Sequence, residues 1–278
     1  MKNRVVITGS DGFVGKHVRN VLTHDGYSVI PFSLRDGKDV RNERDFEDLP
    51  STAIVFHLAA LVSIPASWDI PDEVLDTNII GTLNVLNYAV RHKAKVIFMN
   101  TSAYGNPQYL PIDEKHPITP ESPYEVSKTA AEQLCYVFSR RFRFPAISLR
   151  CFNVYGPGHQ DVAIIPQMIK ELITDGNITI FNGTPRRDFV YVDDVVRALV
   201  AAAKYETAMF DTFNIGSGKS ISIGELAKKL IQISEIAGAK IIDKGEKRPN
   251  DILEKVANIS KAKVKLGWKP EVSLINEN

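Results

Sequence analysis

The sequence predicts an α/β fold: a doubly wound parallel sheet with a smaller C-terminal α/β lobe. Three observations predict it. Apolar, strand-like runs alternate with helix-periodic stretches through residues 1–152. The strand runs are almost continuously apolar, as expected where helices cover both faces of a parallel sheet. The first run breaks at a glycine-rich turn that opens directly into a helix.

Val5–Thr8 reads as the first strand, Gly9 to Gly15 as the turn, Phe13–His24 as a helix and Tyr27–Phe32 as the second strand. Ala53–Leu58 follows as strand, Glu73–His92 as helix, Lys95–Asn100 as strand, Ser122–Phe142 as helix and Ala146–Phe152 as strand. Such alternation implies right-handed crossovers between parallel strands. After Asn153 the elements shorten. Tyr155-Gly156-Pro157-Gly158 is a turn, Pro166–Thr174 a helix, Ile178–Phe181 a strand and Asp193–Lys204 a helix. Phe213–Ile215, Ser222–Ile233, Lys240–Asp243 and Ser260–Leu266 read as strand, helix, strand and helix. Residues 1–152 are read as one domain, to which some later elements return, and 153–278 mainly as the smaller lobe.

The 278 residues are 44% hydrophobic and 24% charged, enough for a large core and unlike a disordered chain. A net charge of +1 with interspersed signs argues against nucleic-acid or membrane partners. No apolar run approaches a membrane span, and a strand starts too early to leave room for a signal peptide. Cys135 and Cys151 lack metal spacing and read as reduced thiols; the histidines show no ligand pairing. A cytoplasmic protein without a metal is expected. His57, in an apolar run, reads as a core or strand-end residue, and His159, after a turn, as solvated.

The turn Gly9-Ser10-Asp11-Gly12-Phe13-Val14-Gly15 carries the first chemistry. Glycines let the backbone approach an anion closely, and the helix N-terminus points N–H groups and a positive dipole end at it. A dinucleotide pyrophosphate fits that description, although the turn alone is also compatible with an ordinary glycine-rich connection. Tyr124 and Lys128 are the second feature. Four residues apart, they share a helix face, and an ammonium beside a phenol favours phenolate. Tyr124 is therefore a candidate acid/base for a hydroxyl or ketone. Thr101 and Ser102 end the preceding strand, where open α/β sheets bind ligands. As an isolated helix pair and a strand-end cap, these residues would be unremarked; together they form a site.

With these elements in place, the chain resembles the extended short-chain dehydrogenase/reductase superfamily, in its nucleotide-sugar epimerase/dehydratase branch. The resemblance spans nearly the whole chain and implies a Rossmann-type fold. Thr8-Gly9-x-x-Gly12-Phe13-x-Gly15 resembles the cofactor fingerprint, and Asp39-Val40 the pair that meets adenine. Leu58-Ala59-Ala60 is similar to the segment lying along the cofactor, and Asn78 lies in Thr77-Asn78-x-x-Gly81-Thr82. Thr101, Tyr124 and Lys128 match the family's Ser/Thr, Tyr and Lys, with Lys128 also meeting the nicotinamide ribose. The cofactor set so implied is Gly9, Asp11, Gly12, Phe13, Val14, Gly15, Ser33, Arg35, Asp39, Val40, Leu58, Ala59, Ala60, Asn78, Tyr124 and Lys128. Arg150-x-Phe152-Asn153-Val154-Tyr155-Gly156-Pro157-Gly158, Arg187-Asp188-Phe189-Val190-Tyr191-Val192-Asp193-Asp194 and Phe213-Asn214-Ile215-Gly216-Ser217-Gly218 are further matches. By the same resemblance Asn153, Arg187 and Arg248 hold a nucleotide diphosphate, Phe181 lines the base pocket and Ser63 touches substrate. Asp193 and Asp194 are read as helix caps.

Three departures qualify these expectations. Where NAD-using relatives carry an acid after the second strand, this chain has Ser33, with Arg35 two residues on. A missing carboxylate and a nearby arginine favour NADP over NAD, modestly. The loop Thr101-Ser102-Ala103 lacks the acid that dehydratases need to eliminate water, so no dehydratase activity is expected. It is also one residue short, which leaves either Thr101 or Ser102 as the active hydroxyl. Ala163 precedes Ile164-Ile165-Pro166 where many relatives have asparagine, which leaves the nucleotide open. The activity expected is an NAD(P)-dependent nucleotide-sugar epimerase working through a keto sugar, at the 4-position. An NADP(H)-dependent ketoreductase uses the same residues, and a non-catalytic NADP(H) sensor is the reading from another class. Relatives pair through the helices at 73–92 and 122–142. Leu83, Leu86, Leu134 and Val137 suit such a homodimer and equally suit a monomer core.

Overall fold

The computed structural model describes residues 3–159, 163–246 and 252–274. Six parallel strands form the main sheet. They are β1 (Arg4–Thr8), β2 (Ser28–Phe32), β3 (Ile54–His57), β4 (Lys95–Thr101), β5 (Ala146–Cys151) and β10 (Phe210–Ile215), in the order β10-β5-β4-β3-β1-β2. The alternation of strand and helix dictates this layout. Val5 and Ile7 enter one apolar cluster with Val18 and Leu22 of α1 (Phe13–His24) and with Leu199 of α7 (Val192–Lys204). Val6, between them, enters the opposite cluster with Val85 and Leu86 of α4 (Gly81–His92) and Ala131 of α5 (Pro123–Phe142). Successive side chains of a strand point to opposite faces, so both faces are dry, as the continuous apolar runs predict.

A third cluster joins Met168 and Leu172 of α6 (Ile164–Asp175), Ile178 and Ile180 of β7 (Asn177–Ile180) and Leu226 of α8 (Ile223–Ser234). Beside it lie short ladders. Strand β6 (Asn153–Tyr155) pairs with β9 (Phe189–Tyr191), and β8 (Arg186–Arg187) lies between β11 (Ile221–Ser222) and β13 (Glu254–Lys255). The strand β12 (Lys240–Asp243) adds to β7, and α9 (Ser260–Leu266) is the last helix.

Two sequence expectations change. The helix expected over 73–92 is a composite: α3 (Pro71–Leu75), a π-turn at Asp76–Ile80 and then α4, with a separate short helix α2 (Ala66–Asp69) before it. A π-turn widens one helical turn by a residue and hardly disturbs the apolar periodicity, so the sequence hides it. Asp193 and Asp194 are not caps: they lie within the first turn of α7, whose N-cap position is Tyr191 and which has no side-chain cap bond. Asp194 is fully buried and accepts from the backbone N–H groups of Glu271 (2.9 Å) and Val272 (3.1 Å), tying down the C-terminal segment. Among the described residues no helix is long and apolar enough to cross a membrane. Cys135 and Cys151 are free and buried.

Candidate active site

Strand β1 pairs with β2 on one side and β3 on the other, so the chain reverses its winding direction there. The carboxyl ends of such strands open a crevice. Gly9 sits at its base with φ +67°, and a Cβ on it would lie 2.7 Å from the Ala59 nitrogen. A Cβ on Gly15 would come within 2.0 Å of the Gly9 carbonyl oxygen. Helix α1 begins after Gly12 with no side-chain cap and no acid in its first turn, leaving its N–H groups for an outside anion. These features fit a dinucleotide pyrophosphate. Leu58, Ala59 and Ala60 leave β3 directly above, and the Leu58 and Ala59 N–H groups both donate to Thr8 Oγ1 at 3.2 Å. Val14 is a core residue, whereas Phe13 stacks on His159 with centroids 4.4 Å apart. His159 is thus partly buried rather than solvated, and burial lowers its pKa.

Beside the glycine turn, Ser33 follows β2 as a buried residue. Its Oγ donates to Asp36 Oδ2 at 2.6 Å, and Ser10 Oγ of the glycine turn donates to the same oxygen at 3.2 Å. Arg35 is engaged by Asp11, with Nε 3.0 Å from Oδ2. Sequence reading missed Asp36, an acid in an exposed turn, because the expected position is three residues earlier. The Asp39 carboxylate takes a two-pronged bond from Arg41, which lowers its pKa. Val40 is buried against Gly81, and its carbonyl accepts from Asn84 Nδ2 at 2.9 Å.

A buried polar chain underlies the crevice. Thr82 Oγ1 donates to the Asn78 carbonyl at 2.6 Å, so it accepts from His57 Nε2 at 2.9 Å. His57 Nδ1 then accepts from Thr8 Oγ1 at 2.7 Å, and this assigns a neutral imidazole protonated on Nε2. The Asn78 amide spans the Leu61 backbone and Ser127 Oγ. Asn78 thereby braces the loop that follows β3 against α5. Burial first, and the Lys128 charge second, bring the His57 pKa to about 3 from 6.5. As pH falls, the unfolded chain therefore takes up this proton before the folded one does. Stability is expected to be level in this respect above pH 6.5 and to fall below it until about pH 3. The slope is at most about 1.4 kcal/mol per pH unit. Urea denaturation of the wild type and His57→Gln at several acidic pH values checks this. Equal acid slopes in the two proteins would remove His57 from the account.

The catalytic candidates meet at the end of β4. Ser122 caps α5 by accepting from the Glu125 N–H at 3.2 Å, and Pro123 takes the first helical position. That cap fixes Tyr124 in the first turn, with Lys128 one turn later. Of the two hydroxyls at the end of β4, Thr101 rather than Ser102 is the one that acts on the Tyr124 phenol, favouring its ionised form. Lys128 is buried; its Nζ donates to the Met99 carbonyl at 2.8 Å and lies 4.2 Å above the Phe98 ring. Burial lowers the Lys128 pKa to about 8. The expected depression of the Tyr124 pKa by Lys128 is not found. Burial pushes the phenol upward, and Thr101 only partly offsets it.

The substrate candidates are more dispersed. Asn153 Nδ2 donates to the Asp188 carbonyl at 2.9 Å, and Arg187 Nη1 reaches the Ile252 carbonyl at 2.7 Å. The Phe181 ring has Lys244 Nζ 4.8 Å from its centroid. Ser63 Oγ accepts from the Ala66 N–H at the start of α2. Arg248 lies outside the described residues. Asp188, missed in the sequence, is fully buried and accepts from the N–H groups of Ser217, Gly218 and Ala257, joining β8 to two loops.

Comparison with known proteins extends this picture. The family model described as "NAD dependent epimerase/dehydratase family" matches residues 5–216. A putative UDP-glucose 4-epimerase of Methanocaldococcus jannaschii is 31% identical over 297 residues, covering 97% of this chain and 94% of that protein. A UDP-glucuronate 4-epimerase of Thermodesulfobacterium geofontis is 33% identical over 310 residues, covering 97% and 92%. The crystal structure of the Thermotoga maritima UDP-glucose 4-epimerase with UDP-glucose superposes with a TM-score of 0.91 at 31% identity, covering 98% and 94%. Decarboxylases and a dehydratase are also relatives, and structural neighbours include one solved with NAD and one with NADPH.

Proposed function

The chain belongs to the NAD dependent epimerase/dehydratase family, and within it we propose a nucleotide-sugar epimerase acting at the sugar's 4-position. The observation that carries this reading is the buried Lys128, whose Nζ donates to the Met99 carbonyl at 2.8 Å one helical turn after Tyr124, beside the strand end where Thr101 closes β4. Tyr124 takes the proton of the 4-hydroxyl, Thr101 holds the same oxygen, and Lys128 fixes the strand end through Met99. The nicotinamide, when bound, supplies a hydride acceptor and donor and brings positive charge near the phenol. The keto sugar turns in the pocket before its other face is reduced. Asn153, Arg187 and Arg248 are proposed to hold the diphosphate, Phe181 the base and Ser63 the sugar side. The uridine-bearing relatives support UDP as the nucleotide. Incubation with UDP-sugars tests the reading: the epimer at carbon 4 is expected, with no net change in cofactor. A 4-keto-6-deoxy product would instead place the chain with the dehydratases.

For the cofactor, Asp36 supports NAD(H). Its carboxylate, held by Ser10 and Ser33, stands beside the glycine turn at the end of β2, where a ribose 2′-hydroxyl is read. Arg35, the residue that suggested NADP, is occupied by Asp11. A firmly held NAD suits an epimerase, whereas a ketoreductase must exchange its cofactor. Fluorescence titration is expected to show NADH bound about tenfold or more tighter than NADPH, with Asp36→Ala closing the gap. Tighter NADPH in the wild type would restore the reading from Ser33 and Arg35 and favour the reductase. The presence of Tyr124 and Lys128 together argues against a non-catalytic sensor.

A homodimer through α4 and α5 is also proposed. Leu86 is spent in the monomer core, and Ile80, Val126 and Val137 are the exposed apolar residues that would pack there.

A further inference from the structure

Lys255 is an ionisable group that the proposed reaction leaves unused. It lies on β13, directly across the ladder from Arg187 on β8, so the two cations share a face. Its ammonium reaches across to the Ser102 carbonyl at 3.5 Å, a long contact and the single hydrogen bond it makes among the described residues. No described carboxylate forms an ion pair with it. Glu125 and Glu121 favour its charged form without an ion pair to it. Glu125 is itself engaged by Ser122 Oγ and the Glu121 N–H. Burial, reinforced by Arg187, lowers the Lys255 pKa. Glu125 draws on the ammonium more strongly than Arg187 repels it, but a largely buried ammonium on one long contact still gains from an anion that reaches it directly.

Position identifies the anion. Ser102 follows Thr101, which closes β4 and acts on the Tyr124 phenol. Lys255 therefore stands where the sugar reacts. In a hexose whose 4-oxygen rests on Tyr124 and Thr101, carbon 6 is attached to the neighbouring carbon 5 and falls alongside that oxygen. We propose that Lys255 binds a carboxylate at carbon 6, so that the preferred substrates are nucleotide uronates rather than neutral nucleotide hexoses. This rests on the nucleotide-sugar reading of the site. A lysine that served the diphosphate would act on every nucleotide sugar alike, and a lysine that merely bridged β13 to the β4 loop would act on none selectively.

Three probes separate these cases by calorimetry on the full chain with NAD bound: UDP, UDP-glucose and UDP-glucuronate. The wild type is expected to bind UDP-glucuronate about tenfold or more tighter than UDP-glucose. Lys255→Met is expected to abolish that preference while leaving UDP affinity unchanged, and Lys255→Arg to retain most of it. Equal wild-type affinities for the two sugars would overturn the proposal, as would an equal loss for all three ligands in Lys255→Met. If UDP and UDP-glucose bind but the uronate does not, the uronate proposal falls and the nucleotide-sugar reading stands. Failure of all three to bind removes both.

Discussion

Tyr124→Phe is expected to lower turnover about a hundred- to ten-thousandfold while leaving dinucleotide binding nearly intact. The substitution removes one oxygen from a partly buried ring at the start of α5 and leaves its packing in place. What disappears is the group that accepts the sugar's proton, the phenol on which Thr101 acts. The ligand-free protein holds this phenol protonated, because burial raises its pKa. Activity is therefore expected to rise with pH in the wild type, as the phenolate becomes accessible, and to lose that dependence in the variant. Steady-state rates across pH, with a parallel titration of dinucleotide fluorescence, measure both effects. A variant within a few-fold of the wild type would remove Tyr124 from the chemistry.

The second large effect concerns stability. Glu132→Ala is expected to cost about 3–5 kcal/mol, because it strands a buried arginine. Glu132 and Arg150 are almost fully buried and joined by two bonds, Nη2 to Oε1 at 2.5 Å and Nε to Oε2 at 3.0 Å. Ser148 Oγ and Asn100 Nδ2 also donate to Glu132, at 2.6 and 2.7 Å. Burial alone would raise the Glu132 pKa, but these bonds overcome it and hold the carboxyl below its ordinary value. The network reaches the site, since Asn100 Oδ1 accepts from the Thr101 N–H at 2.8 Å. Urea unfolding reads the loss. Adding Arg150→Met to Glu132→Ala is expected to recover much of it, because no charge is then left without a partner. A single-variant loss under about 1 kcal/mol would show that the pair is far less desolvated than its burial implies.

Much of this was legible in the chain. The apolar run into Gly9 and Gly15 announces a parallel strand and an anion-binding turn, because no larger residue fits at Gly15. Tyr124 and Lys128 were readable from helical spacing, whereas Ser122, read as the first residue of that helix, is its cap. Other features were hidden for physical reasons. Glu132 looks like an exposed helix charge until Arg150, on another element, is brought against it. Asp36 sits in a short turn whose path back to Ser10 is not encoded by any periodicity. Lys255 lies in a two-residue strand, and only the ladder with β8 places it beside Arg187. The upward pKa shift of Tyr124 depends on burial, which spacing cannot supply.

The most direct test follows the hydrogen on carbon 4 of the sugar. UDP-glucose or UDP-glucuronate carrying deuterium there is incubated with the protein in ordinary water. An epimer that keeps its deuterium is expected, because the hydrogen leaves and returns as hydride while Tyr124 moves only the hydroxyl proton. An epimer whose label has been exchanged for solvent hydrogen would contradict hydride transfer.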